Sequence, residues 1–302
     1  MTDAVRTSRI ALRGPYELRE VAMMGFGHRN ESSFDGVMRL AFCLDGSAAY
    51  EQQVGVEVRQ VPDERGGDHL DLVVHGDGDL DAITAQVARV VSADADGAAW
   101  DAICQADPVL AKVHAIAPGF RPSNFYSPYE AAVWSIISAR RARAQGIALR
   151  RKIAEAYGRG FELAGQTEWA IPTPSMLLTI SSFPGLPVDR IPRLHAVANA
   201  AHDGLLDVER LRAMVPEDAM LDVQQLPGIG PFYSALIVIR ALGLTDVLSV
   251  QEDHTRELVR EKYGFDHVPS DAELEKVAEA WRPFRTWAAV TLRALSSREQ
   301  KA

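Results

Sequence analysis

Residues 226–258 read LPGIGPFYSALIVIRALGLTDVLSVQEDHTREL. Gly228 and Gly230 lie two apart, and a residue without Cβ enters a turn of positive φ most easily. Pro231 suits the first position of a helix, and Val223-Gln224-Gln225 can close the helix before it. Ala235, Leu236, Val238, Ile239 and Leu242 then give one apolar helix, and Glu252, Asp253 and His254 precede another helical stretch. By itself such a turn is a common link between helices. A hairpin of this form also gathers free backbone N–H groups at the positive end of a helix dipole, a site that suits a phosphate. Without side chains, its glycines let a nucleic-acid backbone come close. An acid one helix further on is placed to act at a sugar carbon; alternatively, the acids cap the helix that begins at His254.

Outward from this stretch, the chain from about residue 98 onward reads as helical. SPYEAAVWSIISARRARAQGIALRRKIAEAYG, 127–158, predicts two helices, started by Ser127-Pro128 and stopped by Gly158. PSMLLTI, RIPRLHAVANAAHDG, DVERLRAMV, HTRELVREKYG and DAELEKVAEAWRPFRTWAAVTLRAL add further helices. The first hundred residues differ. RIALRG, GVMRLAFCL (36–44), VGVEVRQV (54–61) and HLDLVVHG (69–76) read as strands, with PDERGGD a hairpin turn between the last two. DLDAITAQVARVVSAD, 79–94, predicts a helix capped by Asp79. The expectation is α+β: an α/β domain over residues 1–97 and a helical body over 98–302.

Composition narrows the function. Two cysteines, Cys43 and Cys104, exclude a cysteine-ligated iron–sulfur cluster or a Cys-rich zinc site, and suit the cytoplasm. No apolar run predicts a membrane span, and no secretory leader is visible. The net charge of −9 suits a soluble protein. Local basic segments oppose it: residues 139–152 carry six basic residues and no acid, and residues 281–302 carry five against one acid.

Four segments, in order, resemble the helix-hairpin-helix DNA glycosylases, in the 3-methyladenine DNA glycosylase II (AlkA-like) branch. They are RGPYELREVAMMGFGHRN, FRPSNFYSPYEAAVWSIIS, LPGIGPFYSA with LGLTDVLSV, and AEAWRPFRTWAAV. The resemblance covers nearly the whole chain. It implies a TATA-binding-protein-like α/β domain followed by two helical lobes with a cleft between them. It implies a monomer that works on duplex DNA in the cytoplasm, at the nucleoid, and flips a damaged base, in that branch an alkylated purine, into the cleft. A carboxylate then stabilises the oxocarbenium-like sugar or activates water.

Carried over residue by residue, the resemblance puts Glu252 at the catalytic acid by gapless register, or Asp253 after a one-residue slip that restores an Asp. His254 either orients that acid or is structural. Gly228, Ile229 and Gly230 grip the DNA backbone, with Arg140 and Arg141 beside them. Phe26, Phe232, Leu236, Trp287 and Arg293 fall at base-pocket positions, with core packing the other reading of the aromatics. The main-chain carbonyls of Gln224, Leu226 and Ile229 match a site for Na+ or K+; no other cofactor is implied.

Departures are equally specific. Phe232 stands where lyase-competent relatives carry Lys, which implies a monofunctional enzyme. Ala139-Arg140-Arg141 stands where a gap-filling Gln is usual, so Arg140 is a wedge, a phosphate contact or a solvated cation. Leu236 and Arg293 replace pocket aromatics, and a guanidinium there repels a cationic base. Two further readings stay open: a catalytically weak protein of this fold that binds distorted DNA, and a metabolic enzyme with an acidic surface.

Overall fold

A computed structural model describes residues 5–29, 33–46, 48–62, 68–248 and 253–299. The fold is α+β. Strands β1 (Arg6–Ala11), β2 (Met38–Cys43), β3 (Gln53–Val61) and β4 (His69–His75) form an antiparallel sheet in the order β1-β4-β3-β2. Its register pairs Arg6 with Val74, Gly55 with His75 and Met38 with Val58. Most of the expected β3–β4 turn, residues 63–67, lies outside the described residues. Helix α1 (Leu18–Met23) was not foreseen; α2 (Leu80–Val90) was, and Asp79 caps it by accepting from the Ala82 N–H at 2.8 Å. Val54, Val56, Val58, Leu72 and Val74 alternate onto one sheet face and bury Ile83 and Val87 of α2. This first core draws on residues 10 to 93 together with Tyr126.

Helices α3 (Gly97–Ala106), α4 (Pro108–His114), α5 (Pro128–Ser138) and α6 (Arg143–Tyr157) follow. The body beyond residue 98 is not all helical. Gly160–Leu163 (β5) and Gln166–Trp169 (β6) form a hairpin that packs on β2 and β3. Phe161 and Leu163 bury there against Ala41. Gly55 makes this approach possible, since a Cβ on it would stand 2.7 Å from the Phe161 side chain.

The chain continues as α7 (Pro174–Leu178), α8 (Arg190–His202), α9 (Val208–Arg212), α10 (Pro216–Val223), α11 (Pro231–Leu242), α12 (Asp253–Tyr263), α13 (Asp271–Ala278) and α14 (Arg285–Glu299). A second core joins α5, α8 and α11 through Trp134, Ile137, Leu194, Val197, Ile237 and Val238. A third joins α3 and α4 to α12–α14 around Trp100, Trp281, Phe284 and Trp287. Cys43 and Cys104 are both free and buried. No helix among the described residues is long and apolar enough to cross a membrane.

Candidate active site

The hairpin closes as its chemistry requires. The Leu226 N–H donates to the Val223 carbonyl at 3.2 Å and the Ile229 N–H to the Leu226 carbonyl at 3.0 Å. Gly228 takes φ +92°, where a Cβ would also crowd Ile136 and Arg193. Gly230 corrects the expectation of a second positive φ: it is extended, at φ −96° and ψ −176°. A Cβ there would meet nothing within 4 Å, so nothing in the fold requires glycine. Gly230 is the N-cap of α11 and supplies no capping side chain, so the first-turn amides stay available to an outside acceptor.

Cations gather at this turn. Arg140, Arg190 and Arg193 line a cavity of about 600 Å³ together with residues 224–230 and Tyr233. Arg190 is anchored by donating to the Ile136 carbonyl at 2.9 Å, and Arg193 pairs with Asp189 at 3.0 Å. Arg140 is exposed and holds φ +57°, an αL position uncommon for a side-chain-bearing residue. The Arg141 N–H closes that turn on the Ser138 carbonyl at 3.0 Å, and its guanidinium donates to Gly185 at 2.7 Å. Thus Arg140 faces the hairpin cavity while Arg141 lines a second one.

The second cavity, about 520 Å³, is walled by Phe26, Trp134, Phe232, Leu236, Arg240 and Arg293, among others. Tyr233 lines both cavities. Phe232 is 64 % exposed at the mouth. Phe26 lies between the Phe125 ring, at 4.7 Å, and the Arg240 guanidinium, 3.7 Å from the ring centre. Arg143 clamps the loop that carries Phe26 by donating to the carbonyls of Gly25, Gly27 and Arg29. Trp287 does not line this cavity; it is 2 % exposed and packs against Trp100 and Phe284, so its bulk fills the third core.

Glu252 lies outside the described residues. Asp253 is the exposed first residue of α12 and is not among the cavity's lining residues; His254 beside it is exposed as well. The approach to this segment is pinned. Arg285 Nε donates to Asp246 Oδ1 at 2.6 Å, and the Thr286 N–H donates to the Thr245 carbonyl at 2.9 Å. Thr286 Oγ1 accepts from the Val247 N–H at 3.0 Å and donates to its carbonyl at 2.7 Å. Val247 and Thr286 both line the second cavity, so the described chain up to Leu248 leaves from its wall.

The charge of the described part of the wall is one-sided. Among the described residues, Arg141, Arg143, Arg240 and Arg293 line it and no acid does. Arg240 is 3 % exposed and donates to the Ser123 carbonyl and Asn124 Oδ1. Burial, with Arg293 and Arg29 nearby, presses its pKa well below the ordinary guanidinium value, and burial also lowers that of Arg293. Sequence reasoning missed Arg143, Arg190, Arg193, Arg240, Tyr233 and the Arg285–Thr286 pins. One signal was present: Arg240 is the lone cation in PFYSALIVIRAL.

No family model matches the chain. It is 21 % identical over 194 residues to the DNA-3-methyladenine glycosylase of Bacillus subtilis (strain 168), covering 62 % of this chain. The chain spans 63 % of that relative's length. Among solved structures, it superposes on a 3-methyladenine DNA-glycosylase from Archaeoglobus fulgidus with TM-score 0.71 at 19 % identity, over 94 % of this chain and 96 % of the other. On the Clostridium acetobutylicum 8-oxoguanine glycosylase/lyase the TM-score is 0.69 at 16 % identity, over 97 % and 99 %. With the glycine hairpin and the adjoining cavity, these superpositions show that the chain has the fold of the helix-hairpin-helix DNA glycosylase superfamily.

Proposed function

We propose that this protein is a DNA base-excision glycosylase. One observation carries the reading: a cation-lined glycine turn and a cavity of about 520 Å³ adjoin, share Tyr233, and are both built on α11. The turn holds the backbone of a duplex through main-chain amides and the guanidiniums of Arg140, Arg190 and Arg193. The damaged nucleotide swings into the cavity, where Phe26, Phe232 and Tyr233 offer stacking faces. Arg140 takes up the gap in the stack. The second and third cores, on either side of the cavity, serve as the two lobes.

In this mechanism the carboxylate of Glu252 or Asp253 stabilises the positive sugar carbon and takes a proton from the attacking water. The segment bearing them leaves the cavity wall at Val247. Phe232 occupies the position of the lyase nucleophile and no Lys is among the described lining residues, which supports hydrolysis without strand cleavage. The carbonyls of Gln224, Leu226 and Ile229 would hold a monovalent cation; that the three residues line one cavity supports this. A cation there would screen a bound phosphate. Alkylated purines are the substrate class the sequence resemblance implies.

The test is to incubate purified protein with duplexes bearing single lesions, alkylated, oxidised or deaminated, and to assay free base and abasic sites. Base release without strand breaks supports the reading. Duplex binding with no release from any lesion overturns it.

A further inference from the structure

Two arginines tie the turn between α5 and α6 to the two cavities. On the hairpin side, Arg190 donates to the Ile136 carbonyl at 2.9 Å and to the Ala139 carbonyl at 3.4 Å, so a wall residue of that cavity holds the end of α5. On the other side, Arg143, the first residue of α6, donates to the carbonyls of Gly25, Gly27 and Arg29, at 3.2 Å to Gly27 and 2.6 Å to Arg29. Arg140 stands between these two contacts, three residues before Arg143. The turn is tight. The Arg141 N–H closes it on Ser138, and Gly146 lets α6 approach α5, since a Cβ there would stand 3.1 Å from the Trp134 ring and 3.2 Å from the Ser138 side chain. A displacement of Arg140 therefore carries Arg143 with it.

The loop that Arg143 grips is shaped for one cation. Gly25 and Gly27 take φ +61° and +60°, and three carbonyls of the loop converge on a single guanidinium. Converging carbonyl dipoles repel one another, and a planar cation with several N–H donors satisfies them together. The Arg29 N–H donates to the Phe26 carbonyl at 3.0 Å and closes the loop on itself. From this loop the Phe26 ring enters the wall of the second cavity, against Phe125 and Arg240. Gly27 packs so near that a Cβ on it would lie 2.6 Å from the Phe125 ring. Groups packed this closely pass a shift on to their neighbours, so moving the loop carbonyls moves the Phe26 ring.

We propose that Arg143 is a positioning residue that couples the stack to the pocket: entry of Arg140 into the gap in the duplex sets, through the Arg143 guanidinium, the place of Phe26 against the flipped base. The inference rests on the glycosylase reading and names the link between gap filling and base capture within it.

The test uses the duplex, among single lesions alkylated, oxidised or deaminated, from which the wild-type chain releases base fastest. Single-turnover rate constants at saturating protein are set beside affinity for undamaged duplex. Arg143→Met is expected to lower the rate constant about tenfold or more and to leave that affinity within about threefold. Arg143→Lys, which keeps the charge and three donors, should recover part of the loss. The coupling is read from double-mutant cycles with Arg140→Ala and with Phe26→Ala. Each pair should lose less than the product of its single losses, by about fivefold or more. Thermal midpoints show which variants are folded, and Arg143→Lys replaces Arg143→Met in the cycles if the latter is not. An unchanged rate in the folded variant, an equal fall in rate and affinity, or losses that multiply in either cycle overturns the coupling alone. Absence of release from every lesion overturns the glycosylase reading and the coupling with it.

Discussion

Asp246 and Arg285 lie 39 residues apart and lock the acidic loop to the first turn of α14, through a 2.6 Å contact between Nε and Oδ1 and a second guanidinium bond, also 2.6 Å, to the Asp246 carbonyl. Thr286 adds two bonds to Val247 from the same turn. The loop therefore leaves the cavity wall on a fixed path just before its acids. Catalysis by a carboxylate depends on such placement, because an error of about 1 Å can cost on the order of a hundredfold. Asp246→Asn and Arg285→Lys are expected to lower the rate of base release by about ten- to a hundredfold while duplex affinity stays near wild type. Single-turnover rates set beside binding isotherms provide the check, and an equal loss in both would show that the pin serves only the fold.

The acid itself is identified by separate substitution. Glu252→Gln or Asp253→Asn should abolish base release by at least about a hundredfold and leave DNA binding intact. Asp253 begins α12 and is exposed, so its substitution is expected to act on the helix cap, and Glu252→Gln to act on chemistry. Retained release in both variants would remove the mechanism.

Gly230 separates grip from fold. It is extended and its missing Cβ faces open space, so Gly230→Val should change stability by no more than about 1 kcal/mol. Affinity should fall about tenfold or more for every duplex, damaged or not, because the contact is to the backbone. Gly228 cannot serve, since its positive φ and its neighbours Ile136 and Arg193 make any side chain a folding defect. Thermal melts and titrations of Gly230→Val with undamaged duplex decide the matter.

Arg140 carries strain at a useful place. Its φ of +57° costs about 1 kcal/mol relative to glycine. Arg140→Gly should therefore raise stability by about that amount while slowing base release and weakening binding to DNA with a flipped or missing base. A variant both more stable and equally active would show that the residue is only a solvated cation.

His28 sets an acid limit. Burial, then the guanidiniums of Arg150, Arg29 and Arg143, depress its pKa well below the usual 6.5. The folded chain keeps the ring neutral while the unfolded chain protonates it below that value. This contribution to stability is thus present above pH 6.5 and is lost as pH falls from there toward the folded pKa. Wild-type stability should fall by up to about 1.4 kcal/mol per pH unit across that window, and His28→Gln should flatten the slope. Denaturant midpoints measured from pH 7.5 to 5 test this.

How much of this was legible in the sequence follows from the range of the interactions. The strands, Asp79, Ser127-Pro128 and the hairpin are local signals, and the fold repeats them closely. The β5–β6 hairpin was missed because its turn uses Ala164 at φ +43°, where a sequence reader looks for Asn or Asp, and because Phe161 finds its partner at Gly55, over a hundred residues away. Phe26, Phe232, Leu236 and Arg293 line one cavity, whereas Trp287, an aromatic of similar bulk, lies in the third core. Pattern cannot tell those apart. Buried Arg240 was hidden for a related reason: its partners, the Ser123 carbonyl and Asn124 Oδ1, lie more than a hundred residues away in the chain.

Helix α11 has a consequence for spacing. Its N-cap, Gly230, lines the hairpin cavity, while Phe232, Leu236 and Arg240 along the helix line the other, so one rigid rod would set the separation between a bound strand and its base. From Gly230 to Leu236 that rise is about 9 Å. The helix is a ruler. A single inserted residue would swing everything beyond it by about 100° and leave a nucleotide held at one end with no chamber aligned at the other.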